Sequence, residues 1–310
     1  MNANRIKTVA LTALCLGLAA AGSAHAGTCV GTSTACSLNT NAGSNDFATA
    51  TATYGNSKSS STSSSYTGSM GAWQVAQTSG TTTPFWVYCI DPLTNTTSPN
   101  SYSTTSLAQW VGVTLNTNGS ATAAASTSTA SAYQTLFNGS NSAYKAANAG
   151  GYVAPATGSS LLTTVYNELT TLYSYAYADS LTSSTKSAAF QFAIWETEGS
   201  TSSASPSYAT GSGVAQLSGN TGVVSQANMY LAALNGGTSG TTTATWTSLG
   251  LTAASYTYTV YQGSGSQTYL TVTKNSTGKS VPEPGSLALA FAAFGGIWVS
   301  RRKTGTQPQA

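Results

Sequence analysis

Two short stretches carry side chains whose types could do chemistry. FWVYCID, residues 85–91, holds Cys89, and AAFQFAIWE, residues 188–196, holds Gln191. The 310-residue chain has four cysteines. Cys15 lies in a leader that is removed on export, as argued below. Cys29 and Cys36 close a loop within eight residues. Their nearness at an exported N-terminus predicts a disulfide, for which the chain-entropy account gives about 2.5 kcal/mol. Two free thiols are the alternative. The pairing leaves Cys89 as an odd thiol, and an odd cysteine in an exported chain calls for an explanation. The single histidine, His25, belongs to the leader. The mature chain therefore has no imidazole to activate a thiol or complete a metal site, so no cofactor or metal is expected. An inert buried cysteine remains the plain alternative.

The elements that must position these groups are a strand and a helix. In a strand, Val87, Cys89 and Asp91 share one face and Tyr88 and Ile90 the other. GAWQVAQT (71–78) and the Cys89 stretch read as paired strands around a polar turn with Pro84. TYTVYQGSGSQTYLTV (257–272) reads as two strands around a Gly-Ser turn. Leu161, Leu162, Val165, Tyr166, Leu169, Leu172 and Tyr173 recur at helical spacing within 160–180. A second helix is predicted over 186–198, ended by Gly199, and a third over 222–237 with Gly236 beyond its end. The polar segments 55–65, 116–131 and 199–207 read as loops, with local disorder the alternative for the first two. The predicted class is α+β, with β-sandwich or barrel-like strands flanking a helical middle region. On its helix Gln191 sits among Ala188, Ile194 and Trp195, and a buried amide in such company needs partners. Asp91 has two readings: a group that orients the thiol, or a turn-entry residue before Pro92. Glu196 and Glu198, two apart on a helix, do not face each other and read as a solvated helix end rather than an acid/base pair.

Tyr88-Cys89 and Phe190-Gln191-Phe192-Ala193-Ile194, about a hundred residues apart, resemble the two motifs of the bacterial thioester domain. That family forms an internal Cys–Gln thioester in surface adhesins. Phe192 departs from it, since the family usually has a more polar residue there. The resemblance implies a thioester-domain-like fold and a Cys89–Gln191 cross-link. It implies support from Asp91, Tyr88 and Trp195, and shielding by Phe85, Trp86, Tyr88, Phe190, Phe192 and Trp195. A partner's nucleophile would attack the Gln191 carbonyl and leave a permanent bond. Without histidine to assist, an amine is the expected target ahead of a polysaccharide hydroxyl. The bond is used once, so the protein is not read as a turnover enzyme.

Both ends read as addresses. Residues 1–26 carry Arg5 and Lys7, an apolar run and Ala24-His25-Ala26, the pattern of a secretory signal. Residues 281–303 carry Pro282-Glu283-Pro284, an apolar run from Leu287 to Val299 and the cations Arg301, Arg302 and Lys303. Their order resembles the PEP-CTERM sorting signal of Gram-negative bacteria. This implies a transient inner-membrane anchor, processing by an exosortase-type protease, and a destination at the cell surface or in an exopolysaccharide matrix. Residues 304–310 read as a cytoplasmic tail. An ordinary C-terminal anchor is the alternative.

The body, residues 27–280, keeps five lysines and six acids, so the formal +3 of the whole chain belongs to its ends. There is no basic patch for nucleic acid. Only 5% of the chain is charged, far below the roughly 25% usual in globular proteins. Solubility must rest on hydroxyls and amides. With six tryptophans and seventeen tyrosines, the chain has too much aromatic surface to leave in water. A non-covalent structural or glycan-binding matrix protein is the main rival reading. A secreted hydrolase is disfavoured by the missing histidine and the lack of a carboxylate pair.

Overall fold

The computed structural model describes residues 35–39, 43, 45–54, 64–78, 83–92, 94, 100–123, 130–137, 159–200, 207–211, 215–263 and 266–275. The residues read above as a leader, Cys29, and those read as a sorting motif (Pro282 to Lys303) and a tail lie outside them. In chain order the elements are β1 (Ala35–Asn39), β2 (Asp46–Tyr54), β3 (Ser64–Gln77), β4 (Phe85–Cys89), β5 (Asn100–Ser106), α1 (Leu107–Val111), β6 (Val113–Leu115), β7 (Ala121–Ala123) and α2 (Ala132–Leu136). They continue with α3 (Ser159–Ser180), α4 (Ser184–Ser200), β8 (Ala215–Ser218), α5 (Thr221–Leu234), β9 (Thr238–Ser239), β10 (Thr242–Thr243), β11 (Tyr256–Gly263) and β12 (Tyr269–Lys274). Among the described residues no helix is long and apolar enough to cross a membrane.

Six antiparallel strands close into a barrel in the order β1-β5-β11-β12-β4-β3, with β3 returning to β1 at Leu38↔Gln77. Closure pairs the barrel strands on both sides over most of their length, while the sheet runs on through β2 to an edge at β8. The barrel-like α+β expectation holds at this level. The β3–β4 and β11–β12 hairpins fall where alternation and turn chemistry put them. Aromatic rings fill the interior: Phe85 stacks on Tyr261 at 5.6 Å and Tyr102 packs on Tyr269 at 5.8 Å. The loop reading of 116–131 needs correction, because Ala121–Ala123 folds back on Val113–Leu115 as a short ladder and Ser131 caps α2.

The long strand β3 serves two sheets. Its second half pairs with β4 and β1, and its first half pairs with β2, which carries β8 outward. The change of partner falls between Ala72 and Trp73, next to Gly71, whose φ of 141° is in the region that favours glycine. A Cβ there would collide with the main-chain carbonyl of Asp46. Beyond the Trp73↔Val87 pair, β3 and β4 part company and α4 packs into the opening.

α4 is the central helix, buried from Ser187 to Gly199 and packed against α3, α5, β2, β3 and β8. This overturns the solvated helix end expected at Glu196 and Glu198: both are 0% exposed. The helix runs on to Ser200 rather than stopping at Gly199, and tertiary cover on every side removes the water that two carboxylates would otherwise keep. Asn220 caps α5 by accepting from the Gly222 and Val223 N–H groups. Asp179 ties the layer together, pairing with Lys186 at 2.6 Å and accepting from the Tyr230 hydroxyl at 2.8 Å.

Candidate functional site around Cys89

β4 and β12 pair at Tyr269↔Cys89, and the Ile90 N–H donates to the Thr268 carbonyl at 2.9 Å. In an antiparallel ladder these bonds alternate, so both main-chain polar groups of Cys89 point away from β12. They point into the gap that β3 leaves as it diverges. α4 fills that gap with side chains one and two turns apart. Ser187 Oγ accepts from the Ala72 N–H at 2.7 Å. Gln191 Oε1 accepts from the Cys89 N–H at 3.0 Å, and Gln191 Nε2 donates to the Cys89 carbonyl at 2.6 Å. Trp195 Nε1 donates to the same carbonyl at 3.0 Å. One carboxamide thus takes the place of a neighbouring strand, which is the partner set its burial demanded.

Cys89 and Gln191 are 3% and 1% exposed, so their contact excludes water. The sulfur is held within its own turn: Sγ donates to the Asp91 carbonyl at 3.1 Å, and the Asp91 N–H approaches it at 3.4 Å. Burial, and then the Asp91 carboxylate, push the thiol well above its ordinary range. At neutral pH it is S–H, and any acyl transfer must move its proton.

The expected residues divide in two. Cys89, Asp91, Gln191 and Trp195 come together. Asp91 plays its turn role, with Oδ1 accepting from the Thr94 N–H at 3.1 Å, while its main chain holds the sulfur. Tyr88 turns to the face of β4 opposite Cys89, as strand alternation predicts. Its ring packs on Phe190 at 4.8 Å and its hydroxyl meets Ser180 Oγ at 2.7 Å and Ser187 Oγ at 3.1 Å. Cys36 lies in β1, paired to Tyr102, and its proposed partner Cys29 is outside the described residues.

Two residues escaped the sequence reading. Glu198 lies on the same face of α4 as Gln191 and Trp195, at the i, i+4, i+7 spacing of one helical stripe. Neither of its carboxylate oxygens has a hydrogen-bond partner among the described residues. Burial, and then Asp91, push its carboxyl well above the usual range. The stripe was visible in the spacing, but the burial was not. Glu196 points elsewhere, with Oε2 accepting from the Ala215 N–H at 3.1 Å. Gln267 is the second miss. It lies just ahead of β12, two residues before Tyr269, the ladder partner of Cys89. The pattern around the turn could have placed it there once the pairing partner of β12 was known.

A cleft of about 640 Å³ opens beside the site, with Asp91, Thr268, Gln262 and Trp110 among its lining residues. Asp91 and Thr268 flank Cys89 on the ladder, so the cleft reaches the neighbourhood of the thiol without exposing it. Comparison with known proteins found no matching family model, no matching curated protein and no matching solved structure.

Proposed function

We propose that the protein is an exported surface or matrix protein that attaches covalently to a partner through an internal thioester on Cys89. The observation that carries this reading is the buried, water-excluded pairing of a free cysteine with a carboxamide, Gln191 bonding the Cys89 main chain on both sides. In the first form of the reading, the Cys89 sulfur adds to the Gln191 side-chain carbonyl and ammonia departs. The Cys89 N–H already polarises that carbonyl, and Trp195 keeps the strand carbonyl satisfied after the amide nitrogen leaves. A partner amine entering by the Asp91 cleft then takes the acyl group and frees the thiol. The export and sorting signals at the chain ends support a place at the cell surface or in an extracellular matrix, reached after exosortase-type processing of a membrane-anchored precursor.

A second form rests on a specific observation. Both heteroatoms of the Gln191 amide are committed to the main chain of Cys89. That is the arrangement of a structural clamp, and it would leave Gln267, two residues before the ladder partner of Cys89, as the acyl donor. The non-covalent matrix reading, with an inert Cys89, stands against both forms.

One set of mass measurements separates all three. With Cys29–Cys36 oxidised, the intact body should be lighter than its sequence by one further ammonia. Cys89 should resist alkylation until methylamine is added, and the methylamide should map to a single glutamine. Label at Gln191 supports the first form and label at Gln267 the second. A full-mass protein whose Cys89 never yields an amine adduct leaves only the non-covalent reading.

A further inference from the structure

Glu198 is expensive where it stands. A carboxyl that is 0% exposed, with no partner on either oxygen among the described residues, forfeits hydration without compensation. Its stripe-mates Gln191 and Trp195 both bond to Cys89, and Glu198 is the next group along that stripe. Its charge would act on both Cys89 and Asp91. The thioester chemistry meanwhile has an unmet need. A protonated thiol must lose its proton, a departing amide nitrogen must gain one, and the mature chain has no histidine.

We infer that Glu198 is the proton-transfer group of thioester formation and capture at Cys89, an assignment that rests on the thioester reading above. The step balances as follows. The Cys89 sulfur forms a bond to the side-chain carbonyl carbon of the acyl glutamine, and the carbon–nitrogen bond of that amide breaks. The thiol proton passes to one oxygen of Glu198. The proton already on the carboxyl passes to the departing nitrogen, which leaves as ammonia. Glu198 ends as it began, a neutral acid. Capture by an amine runs the same exchange in reverse: the carboxyl protonates the leaving sulfur and accepts the proton of the attacking nitrogen. Burial suits this, since it pushes the titrations of both Cys89 and Glu198 upward and so favours their protonated forms. The titratable groups electrostatically linked to Glu198 are Asp91, Cys89 and Tyr173.

The test follows closure of the bond in the exported body. Concentrated ammonia opens the thioester and restores glutamine and free thiol. Removing the ammonia lets the bond re-form, read by intact mass over time. Glu198→Gln keeps the shape and removes the proton exchange, so closure should slow by roughly 10²-fold or more, with a melting temperature at or above that of the parent. The closure rate of the parent should fall as pH rises through the titration of Glu198, and this fall should be missing from Glu198→Gln. Closure of Glu198→Gln at the parental rate, or an identical pH profile in both proteins, overturns the assignment and leaves the thioester intact. A parent that never shows the ammonia deficit overturns the thioester and this assignment with it.

Discussion

Replacing Gln191 with alanine separates what the amide does for the fold from what it does for chemistry. The substitution removes two hydrogen bonds to one residue. The Cys89 N–H loses its Gln191 partner inside the protein, which costs about 1–3 kcal/mol. The Cys89 carbonyl keeps Trp195, so the second loss is nearer the roughly 1 kcal/mol net worth of an ordinary bond. The sum is about 2–4 kcal/mol, a large share of the roughly 5–15 kcal/mol that holds a typical domain. If Gln191 is also the acyl donor, the variant loses a cross-link spanning about a hundred residues, for which chain entropy gives up to about 4.7 kcal/mol more. Cys89→Ala loses the cross-link in either case and keeps both amide bonds. Urea unfolding of the parent and the two variants, with intact mass on each sample, decides the matter. If Gln191 is only a clamp, Gln191→Ala should retain the ammonia deficit and fall by the smaller amount. A Gln191→Ala protein within about 0.5 kcal/mol of the parent, whatever its mass, would refute the claim that this amide stands in for a missing strand.

Two further outcomes are expected. Because Glu198 holds its proton in the folded state above the pH at which the unfolded chain releases it, the folded form binds more protons over that range. Stability should therefore be greatest below the ordinary carboxylate titration near 4.5 and decline as pH rises above it. Glu198→Gln should flatten much of that decline in a pH series of urea midpoints, and an unchanged slope would contradict the buried, protonated carboxyl. At the other end of the chain, changing Pro282-Glu283-Pro284 to alanines should leave the protein in the membrane fraction at precursor size, and release at the parental size and amount would remove the sorting reading.

Much of the scaffold was legible because it is written in local periods. The apolar spacing of Leu162, Val165, Leu169 and Tyr173 fixes a helix whatever surrounds it, and alternation around a Gly-Ser turn fixes the β11–β12 hairpin. The oddness of Cys89 and the misfit of Gln191 among apolar neighbours are likewise properties of residue type. Periodicity has no means of reporting which strand leaves its neighbour early. The gap between β3 and β4 opens where β3 changes partner, between Ala72 and Trp73, and there Ser187, Gln191 and Trp195 find main-chain groups to satisfy. Tyr88 turns away from the thiol for the simple reason that successive strand residues face opposite sides. Glu196 and Glu198 look like a solvated end in sequence, since charge next to a glycine usually means water. Burial is set by what packs around a helix, and α4 is covered on every side by elements distant in sequence. The sequence alone therefore determined the elements and the reactive residue types. The tertiary structure decided which amide meets Cys89 and which carboxyl loses its water, because each depends on long-range register and cover that no local pattern encodes.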